Sequence, residues 1–290
     1  MNKENKLYLI DGTAYIHRAF HAIRALSNSK GMPTNAIFGF TRMVLKLLEA
    51  QTPQYAVMLF DTKGPTFRHE IYDSYKANRP PMPADLAVQI PYIKEITKGF
   101  NISMIEKPGY EADDLIGTLA KMAASDDISV VMITSDKDFL QLVTDKIIVW
   151  DPMKDNIMDA DAVRKRFEVE PYQLIDVMGL SGDVSDNVPG VPGVGEKTAL
   201  DLIKRFGSIE QVYEQIDKIT RKKLHENLIK YKDQALLSRT LVTIDTQVPL
   251  TFDMEAFKLK STNTEQLSRL FKELEFRRLQ MDFPESTDLS

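Results

Sequence analysis

The sequence predicts an α/β protein with a mostly parallel central sheet flanked by helices, followed by a largely helical part. Short apolar runs alternate with segments of helical periodicity up to about residue 150, which is typical of βαβ units. From about 159 onward helical patterns dominate, interrupted by a Gly/Pro cluster at 189–195. We therefore expect an α/β core at 1–175 and a helical subdomain at 176–290 that packs back on the core.

The elements follow from hydrophobic periodicity and turn residues. The predicted strands are 6–10, 55–60, 102–105, 130–134 and 147–150, and the predicted helices are 13–25, 35–50, 84–98 and 111–124. One segment, 62–83, has no apolar periodicity. Loops of this length are usually functional or disordered.

Composition limits the possible functions. The 290 residues are 43% hydrophobic and 27% charged, as in ordinary globular proteins. There is no Cys, and the four His (17, 21, 69 and 225) are too scattered for a zinc cluster. The chain start does not resemble a signal peptide, and no apolar run reaches membrane-spanning length. The net charge of −5 does not exclude a polyanionic partner, because the distribution of charge matters more than its sum.

Carboxylates recur at particular places along the chain. Some follow predicted strands, and others form the short sets E-A-D-D, D-K-D and D-V-S-D. The nine are Asp11, Asp61, Glu111, Asp113, Asp114, Asp136, Asp138, Asp183 and Asp186. Each alone has an ordinary explanation as a helix cap or turn residue. Together at the carboxyl edge of one sheet they would repel each other strongly, so the pattern indicates bound cations.

The ligand types restrict the metal. Ligation by oxygen alone favours Mg²⁺, with Mn²⁺ as a substitute, over metals that prefer His or Cys. Two groups of carboxylates suit two ions about 4 Å apart that act on one phosphate ester. Glu111 and Asp114 share a helix face, whereas Asp113 points about 100° away from Asp114. The motif D-G-T at 11–13 also suggests a haloacid-dehalogenase phosphatase, but Leu9 stands where that family needs its nucleophilic Asp.

Two further segments suit nucleic acid. In 62–83, basic side chains alternate with aromatic ones, a combination that binds single strands through phosphate pairing and base stacking. At 190–203 the run G-V-P-G-V-G-E-K-T-A-L-D-L-I has the pattern of a helix-hairpin-helix, which grips the duplex backbone without reading sequence. Its backbone N–H groups, with Gly193, Gly195, Lys197 and Thr198, are expected to contact a phosphate.

These residues together resemble the 5′-nuclease family, which includes the exonuclease domain of bacterial DNA polymerase I, stand-alone and phage 5′-exonucleases, and flap endonucleases. The matching motifs span most of the chain. They are L-I-D-G-T (9–13), F-D (60–61), F-R-H-E (67–70), Y-K-A-N-R (75–79), P-G-Y-E-A-D-D (108–114), T-S-D-K-D (134–138) and G-D-V-S-D-N-V-P-G-V-P-G-V-G-E-K-T-A (182–199).

The resemblance implies a PIN-like 5′-nuclease core, a helical arch at about 62–83 and a helix-hairpin-helix that holds K⁺. It implies that Asp11, Asp61, Glu111, Asp113 and Asp114 form a first metal group, and Asp136, Asp138, Asp183 and Asp186 a second. Arg18, Arg68, Lys76 and Arg79 match basic residues that contact phosphate, and Tyr75 matches a DNA contact in the arch.

The implied activity is Mg²⁺-dependent, structure-specific 5′-3′ exonuclease and 5′-flap endonuclease hydrolysis in DNA replication and repair. The products would carry 5′-phosphate and 3′-hydroxyl ends. The implied substrates are DNA with 5′ ends or flaps, and RNA–DNA primer junctions. We expect a cytoplasmic, nucleoid-associated monomer. The alternative is a branched-DNA-binding module without turnover. Whether the chain is a stand-alone nuclease or part of a polymerase stays open.

Overall fold

A six-stranded sheet forms the centre of the molecule. The computed structural model describes residues 6–283. The strands are β1 (Lys6–Asp11), β2 (Tyr55–Leu59), β3 (Ser103–Ile105), β4 (Ser129–Ile133), β5 (Ile147–Asp151) and β6 (Asn156–Met158). Their order is β3-β2-β1-β4-β5-β6, and every neighbouring pair is parallel except β5 and β6. The predicted, mostly parallel sheet is confirmed. The short β6 was not predicted, because only Met158 of its three residues is buried.

Helices cover both faces of the sheet and, with the loops that connect them, form the rest of the described chain. They are α1 (Gly12–Ala22), α2 (Asn35–Gln51), α3 (Phe67–Ile71), α4 (Ala84–Ala87), α5 (Ile90–Gly99), α6 (Ala112–Ser125), α7 (Ala160–Phe167), α8 (Leu174–Ser181), α9 (Glu196–Phe206), α10 (Ile209–Glu214), α11 (Lys222–Lys230), α12 (Lys232–Val242), α13 (Thr264–Glu273) and α14 (Arg277–Asp282). Short 3₁₀ helices span Lys137–Leu142, Pro171–Gln173, Ile216–Lys218 and Met254–Phe257. Among residues 6–283, no helix is long and apolar enough to cross a bilayer.

Strands β1, β2 and β4 are buried on both faces, so their side chains belong to two separate cores. In β1, Leu7 and Leu9 belong to the core under α6 and α8, whereas Tyr8 and Ile10 belong to the core under α1, α2 and α5. This alternation follows from the two-residue repeat of a strand. A strand whose two faces are both covered by helices has a continuous run of apolar residues. For this reason β1, β2 and β4 could be recognised from the sequence.

The carboxyl ends of the strands meet at one edge of the sheet. Asp11 ends β1, Asp61 follows β2 by one residue, and Asp151 ends β5. Gly12 lets α1 start close to β2, because a Cβ at this position would lie 2.7 Å from Cδ1 of Phe60 and 2.8 Å from the Leu59 carbonyl oxygen. The chain can therefore turn from β1 into α1 while keeping Asp11 at the edge.

The segment predicted to be a helical arch contains little helix. Within 62–83 helix is confined to α3, and residues 73–78 form successive turns. Tyr75 from these turns is only 4% exposed and packs in a small apolar cluster with Met178, Val188, Leu241 and Val242. The segment therefore lies against the helical part of the molecule.

The C-terminal helices return to the sheet. Leu267 and Phe271 of α13 are fully buried in the same core as Ile10 and Phe40. A Cβ on Gly99 would lie 2.5 Å from Cδ2 of Leu267, which shows how closely α5 and α13 pack. The division of the chain at residue 175 stays a prediction.

Candidate metal centre

Asp11 and Asp61 are fixed at the sheet edge by hydrogen bonds. The Asp11 carboxylate accepts from the Ala14 amide (2.8 Å) as the N-cap of α1 and from the Thr134 hydroxyl (2.9 Å). The Asp61 carboxylate accepts from the Ala112 amide (2.7 Å), and the Asp61 amide donates to the Thr13 hydroxyl (2.9 Å). These bonds join the ends of β1, β2 and β4 to the starts of α1 and α6, so both carboxylates are preorganised.

Asp113 faces this pair across the start of α6. Burial raises the pKa of the Asp113 carboxyl well above its usual value, and Asp11, Asp136 and Asp61 raise it further. Burial and the same neighbours, Asp61 and Asp136, raise the pKa of Asp11 to about 7. These mutual effects mean that Asp11, Asp61, Asp113 and Asp136 lie close together, with Asp11 buried and Asp61 and Asp136 exposed.

Asp136 and Asp138 continue the cluster at the end of β4. Asp136 caps the 3₁₀ helix Lys137–Leu142 by accepting from the Asp138 amide (2.9 Å). Burial raises the pKa of Asp138 to about 7, with Asp136 and Asp183 adding to the effect. Oδ1 of Asp138 is buried and has no hydrogen-bond donor.

These observations fit hard divalent cations. A buried carboxylate oxygen without a donor is costly, and burial together with neighbouring carboxylates raises the pKa values of Asp11, Asp113, Asp136 and Asp138, so added positive charge would stabilise the cluster. The donors are all oxygens, the ligand type of Mg²⁺ and Mn²⁺. Asp11, Asp61, Asp113, Asp136 and Asp138 are therefore the residues that could hold metal.

Asp114 differs from its neighbours, because it is fully buried against Arg68. Arg68 donates to both Asp114 oxygens (2.8 and 2.7 Å), to the Leu241 carbonyl (2.8 Å) and to the Thr243 carbonyl (2.8 Å). Asp114 also accepts from the Glu111 amide (3.1 Å) and the Asp245 amide (2.9 Å). In this structure Asp114 is thus bonded to Arg68 and turned away from the other carboxylates, and Arg68 is too buried to contact a phosphate. The reason is that each satisfies the buried charge of the other. The resemblance to 5′-nucleases had instead placed Asp114 in the first metal group and Arg68 against phosphate.

The remaining three predicted ligands are paired with cationic side chains. Glu111 accepts from Lys76 Nζ (2.7 Å), Asp186 contacts Arg79 and lies 3.6 Å from Lys76 Nζ, and Asp183 lies 3.4 Å from Lys137 Nζ. Four of the nine carboxylates thus contact Lys or Arg. In the described part of the chain no three His, Asp or Glu side chains are gathered closely enough to hold a metal ion, so the five unpaired carboxylates would have to draw together around one. The structure brings all nine to one region but divides them into paired and unpaired sets.

Arg18 lies on the other side of the cluster. Its Nη1 is 3.4 Å from Oδ1 of Asp151, and its side chain is 30% exposed. Sequence reasoning missed Asp151 and Lys137. Asp151 could have been found by the signal that identified Asp11, because each is an Asp at the end of a buried strand. Lys137 could have been found because it lies within the D-K-D motif.

The glycine hairpin lies between α8 and α9. Gly193 has φ +83°, a left-handed conformation that favours glycine, and Gly195 is the N-cap of α9 with open space where a Cβ would lie. Lys197 is exposed and Thr198 partly exposed in the first turn of α9. The first amides of α9 are thus accessible beside a lysine, an arrangement suited to an anion.

Known protein families match almost the whole chain. The model of the 5′-3′ exonuclease N-terminal resolvase-like domain matches residues 6–168, and that of the 5′-3′ exonuclease C-terminal SAM fold matches residues 169–265. A 5′-3′ exonuclease of Aquifex aeolicus is 41% identical, over 94% of this chain and 93% of its own length. DNA polymerase I of Bacillus subtilis is 43% identical over 96% of this chain, which spans 32% of that polymerase.

Solved structures agree on the fold. A zinc-bound T5 5′-exonuclease superimposes with a TM-score of 0.70 at 20% identity, covering 96% of this chain and 99% of the other. The catalytic core of Rad2 in complex with DNA substrate gives a TM-score of 0.66 at 21% identity, covering 93% and 88%. The matches span both halves of the chain, and its six-stranded sheet carries the acidic cluster at its carboxyl edge. The chain therefore belongs to the 5′-3′ exonuclease family.

Proposed function

We propose that this chain hydrolyses DNA phosphodiesters at 5′ ends and 5′ flaps, with Mg²⁺ as cofactor and Mn²⁺ as a substitute. The observation that carries the proposal is the set of unpaired carboxylates, Asp11, Asp61, Asp113, Asp136 and Asp138, next to Lys76 and Arg79. Carboxylates without a cationic partner thus lie beside two basic side chains. A phosphodiester needs this combination, because its reaction requires cations near both the attacking and the leaving oxygen.

The residues take separate roles in this proposal. Asp113, Asp136 and Asp138 with Asp11 and Asp61 would hold two divalent cations, which supply the positive charge that activates water and stabilises the leaving 3′-oxygen. Lys76 and Arg79 would neutralise the phosphoryl oxygens, and Arg18 would contact a neighbouring phosphate. Glu111, Asp183 and Asp186 exchange partners between cationic side chains and cations. The products would carry 5′-phosphate and 3′-hydroxyl ends.

The helical part would bind the duplex next to the cleavage site. Gly193, Gly195, Lys197 and Thr198 would grip the phosphate backbone, with K⁺ at the hairpin, and Tyr75 would lie beside the displaced strand. A T5 flap endonuclease structure contains DNA and metal ions, and the Rad2 structure contains DNA substrate, which supports the same partners here. The role would be removal of flaps, 5′ ends and primers, including RNA–DNA junctions, in replication and repair.

The test is cleavage of a 5′-labelled flap substrate with Mg²⁺ and with EDTA. The proposal requires turnover only with the metal, and loss of at least a hundredfold in rate for Asp136→Asn with flap binding retained. Binding without cleavage by the unaltered chain would instead support a branched-DNA-binding module. No observation in the structure favours that alternative, since the catalytic carboxylates are present.

A further inference from the structure

Residues 74–79 are held against the loop at 183–188, which we call the acidic loop because it carries Asp183 and Asp186. Four hydrogen bonds of this contact involve backbone carbonyls, the longest being that from Arg79 Nε to the Ser185 carbonyl (3.4 Å). The Lys76 amide donates to the Asp186 carbonyl (2.9 Å), Asn78 Nδ2 to the Val184 carbonyl (2.7 Å) and Asn187 Nδ2 to the Ser74 carbonyl (2.6 Å). The two segments are far apart in sequence, so these bonds fix one against the other.

Charged side chains reinforce the contact. Lys76 Nζ lies 2.7 Å from Glu111 Oε1 and 3.6 Å from Asp186 Oδ2, and Arg79 pairs with the other Asp186 oxygen. The Tyr75 hydroxyl lies 3.1 Å from Glu111 Oε2. Burial alone would lower the pKa of Lys76, but Glu111 and Asp186 raise it above its usual value. Lys76 is therefore a fixed cation in the acidic cluster.

The carboxylate oxygens of Glu111 and Asp186 cannot fully neutralise both the basic side chains that contact them and a bound divalent ion. Glu111 and Asp186 line the same small cavity as the unpaired Asp113 and Asp138. Divalent ions bound by the unpaired set would reduce the negative potential that holds Lys76 and Arg79. Conversely, Lys76 and Arg79 must leave these carboxylates before they can contact a phosphate.

We propose that residues 74–79 form a latch, in which Lys76 and Arg79 are built-in counter-ions of Glu111 and Asp186, Asn78 and Asn187 position them, and divalent cations release the segment toward DNA. This inference rests on the proposed metal-dependent function and adds an order of events. The cations arrive first and free the two basic side chains, which then bind the phosphate. The linkage is reciprocal, so anything that weakens the latch must tighten metal binding.

The test uses the full chain without DNA. Mg²⁺ affinity is measured by calorimetry, and hydrogen exchange of the backbone amides at 74–79 is followed without and with saturating Mg²⁺. We expect exchange at 74–79 to be at least tenfold faster with Mg²⁺, while amides of β1 are unchanged. Asn78→Ala, which removes one latch bond and no charge, should tighten Mg²⁺ binding about fivefold, the factor for one net hydrogen bond.

The matched control is Asn227→Ala, because Asn227 Nδ2 also donates to a backbone carbonyl, that of Pro192, at 2.7 Å on an exposed surface. It should leave Mg²⁺ affinity unchanged. If Mg²⁺ binds but exchange at 74–79 is unchanged or slower, the latch is wrong and the metal-dependent function stands. If Asn78→Ala and Asn227→Ala have equal effects on affinity, the latch is also wrong. If Mg²⁺ does not bind, the proposed function itself fails.

Discussion

Substitution of Arg68 distinguishes a structural role of this residue from a role in substrate binding. Its guanidinium is buried and makes four hydrogen bonds of 2.7–2.8 Å, two to Asp114 and one each to the Leu241 and Thr243 carbonyls. In Arg68→Met, the apolar side chain fills much of the same space but leaves the Asp114 charge and both carbonyls without these donors. Removing one partner of a buried pair costs about 3–5 kcal/mol.

The assay is urea unfolding followed by circular dichroism, with cleavage of a 5′ flap measured in parallel. We expect the free energy of unfolding to fall by about 3–5 kcal/mol for Arg68→Met. The comparison variant is Arg18→Met, whose guanidinium is partly exposed with one contact at 3.4 Å, and which should lose less than about 1 kcal/mol while reducing cleavage. Arg68→Met/Asp114→Asn should be less destabilised than the sum of the single variants, because the pair is coupled. Unchanged stability of Arg68→Met with reduced cleavage would refute the structural role and restore Arg68 as a phosphate contact.

Three further predictions concern the acidic cluster, Gly190 and Lys197 of the hairpin. The pKa values of Asp11 and Asp138 are about 7, well above their unfolded values, so without divalent ions they contribute stability at low pH that is lost as pH rises through about 7. Because cations compete with these protons, Mg²⁺ should raise the melting temperature more at pH 8 than at pH 6, and an equal effect at both would contradict the assignment. Gly190 has φ +57°, and its added Cβ would lie 2.7 Å from the Gly182 Cα, so Gly190→Ala should destabilise the chain by about 1–3 kcal/mol. The control in the same unfolding assay is Gly195→Ala, whose Cβ meets no atom but which replaces an N-cap glycine and should cost less than about 1 kcal/mol. Lys197→Ala should weaken duplex binding about equally for all sequences and reduce the slope of log K against log salt by about 1, whereas a sequence-dependent loss would argue against a phosphate contact.

The position of the acidic cluster could be predicted from sequence because it depends on local signals. Asp11 and Asp61 follow apolar runs that are long enough to be strands, and parallel strands place their carboxyl ends together. The same logic predicted Asp136, which follows the apolar run at 130–134. Asp113 and Asp138 were predicted beside them from the short sets E-A-D-D and D-K-D and from the resemblance, because helical periodicity alone points Asp113 about 100° away from Asp114.

The partners of the individual carboxylates could not be predicted, because they come from distant parts of the chain. Arg68 contacts Asp114, which is 46 residues away, and the carbonyl of Thr243, which is 175 residues away. No periodicity connects such positions. The contacts of Lys76 and Arg79 with Asp186 could not be predicted for the same reason, because they form only where the turns at 73–78 pack against the acidic loop. A run of basic and aromatic residues indicates phosphate binding but does not tell which carboxylate a basic residue meets in the absence of DNA.

The most direct test of the metal centre is to locate bound ions. Crystals of the chain soaked in Mn²⁺ would be measured at the manganese absorption edge, and anomalous peaks would be assigned to their nearest oxygens. The structure leads us to expect peaks bounded by the carboxylates of Asp113, Asp136 and Asp138, with Asp114 still bonded to Arg68. Peaks at Asp114, or none near the carboxyl edge of the sheet under conditions in which the chain cleaves DNA, would contradict this assignment.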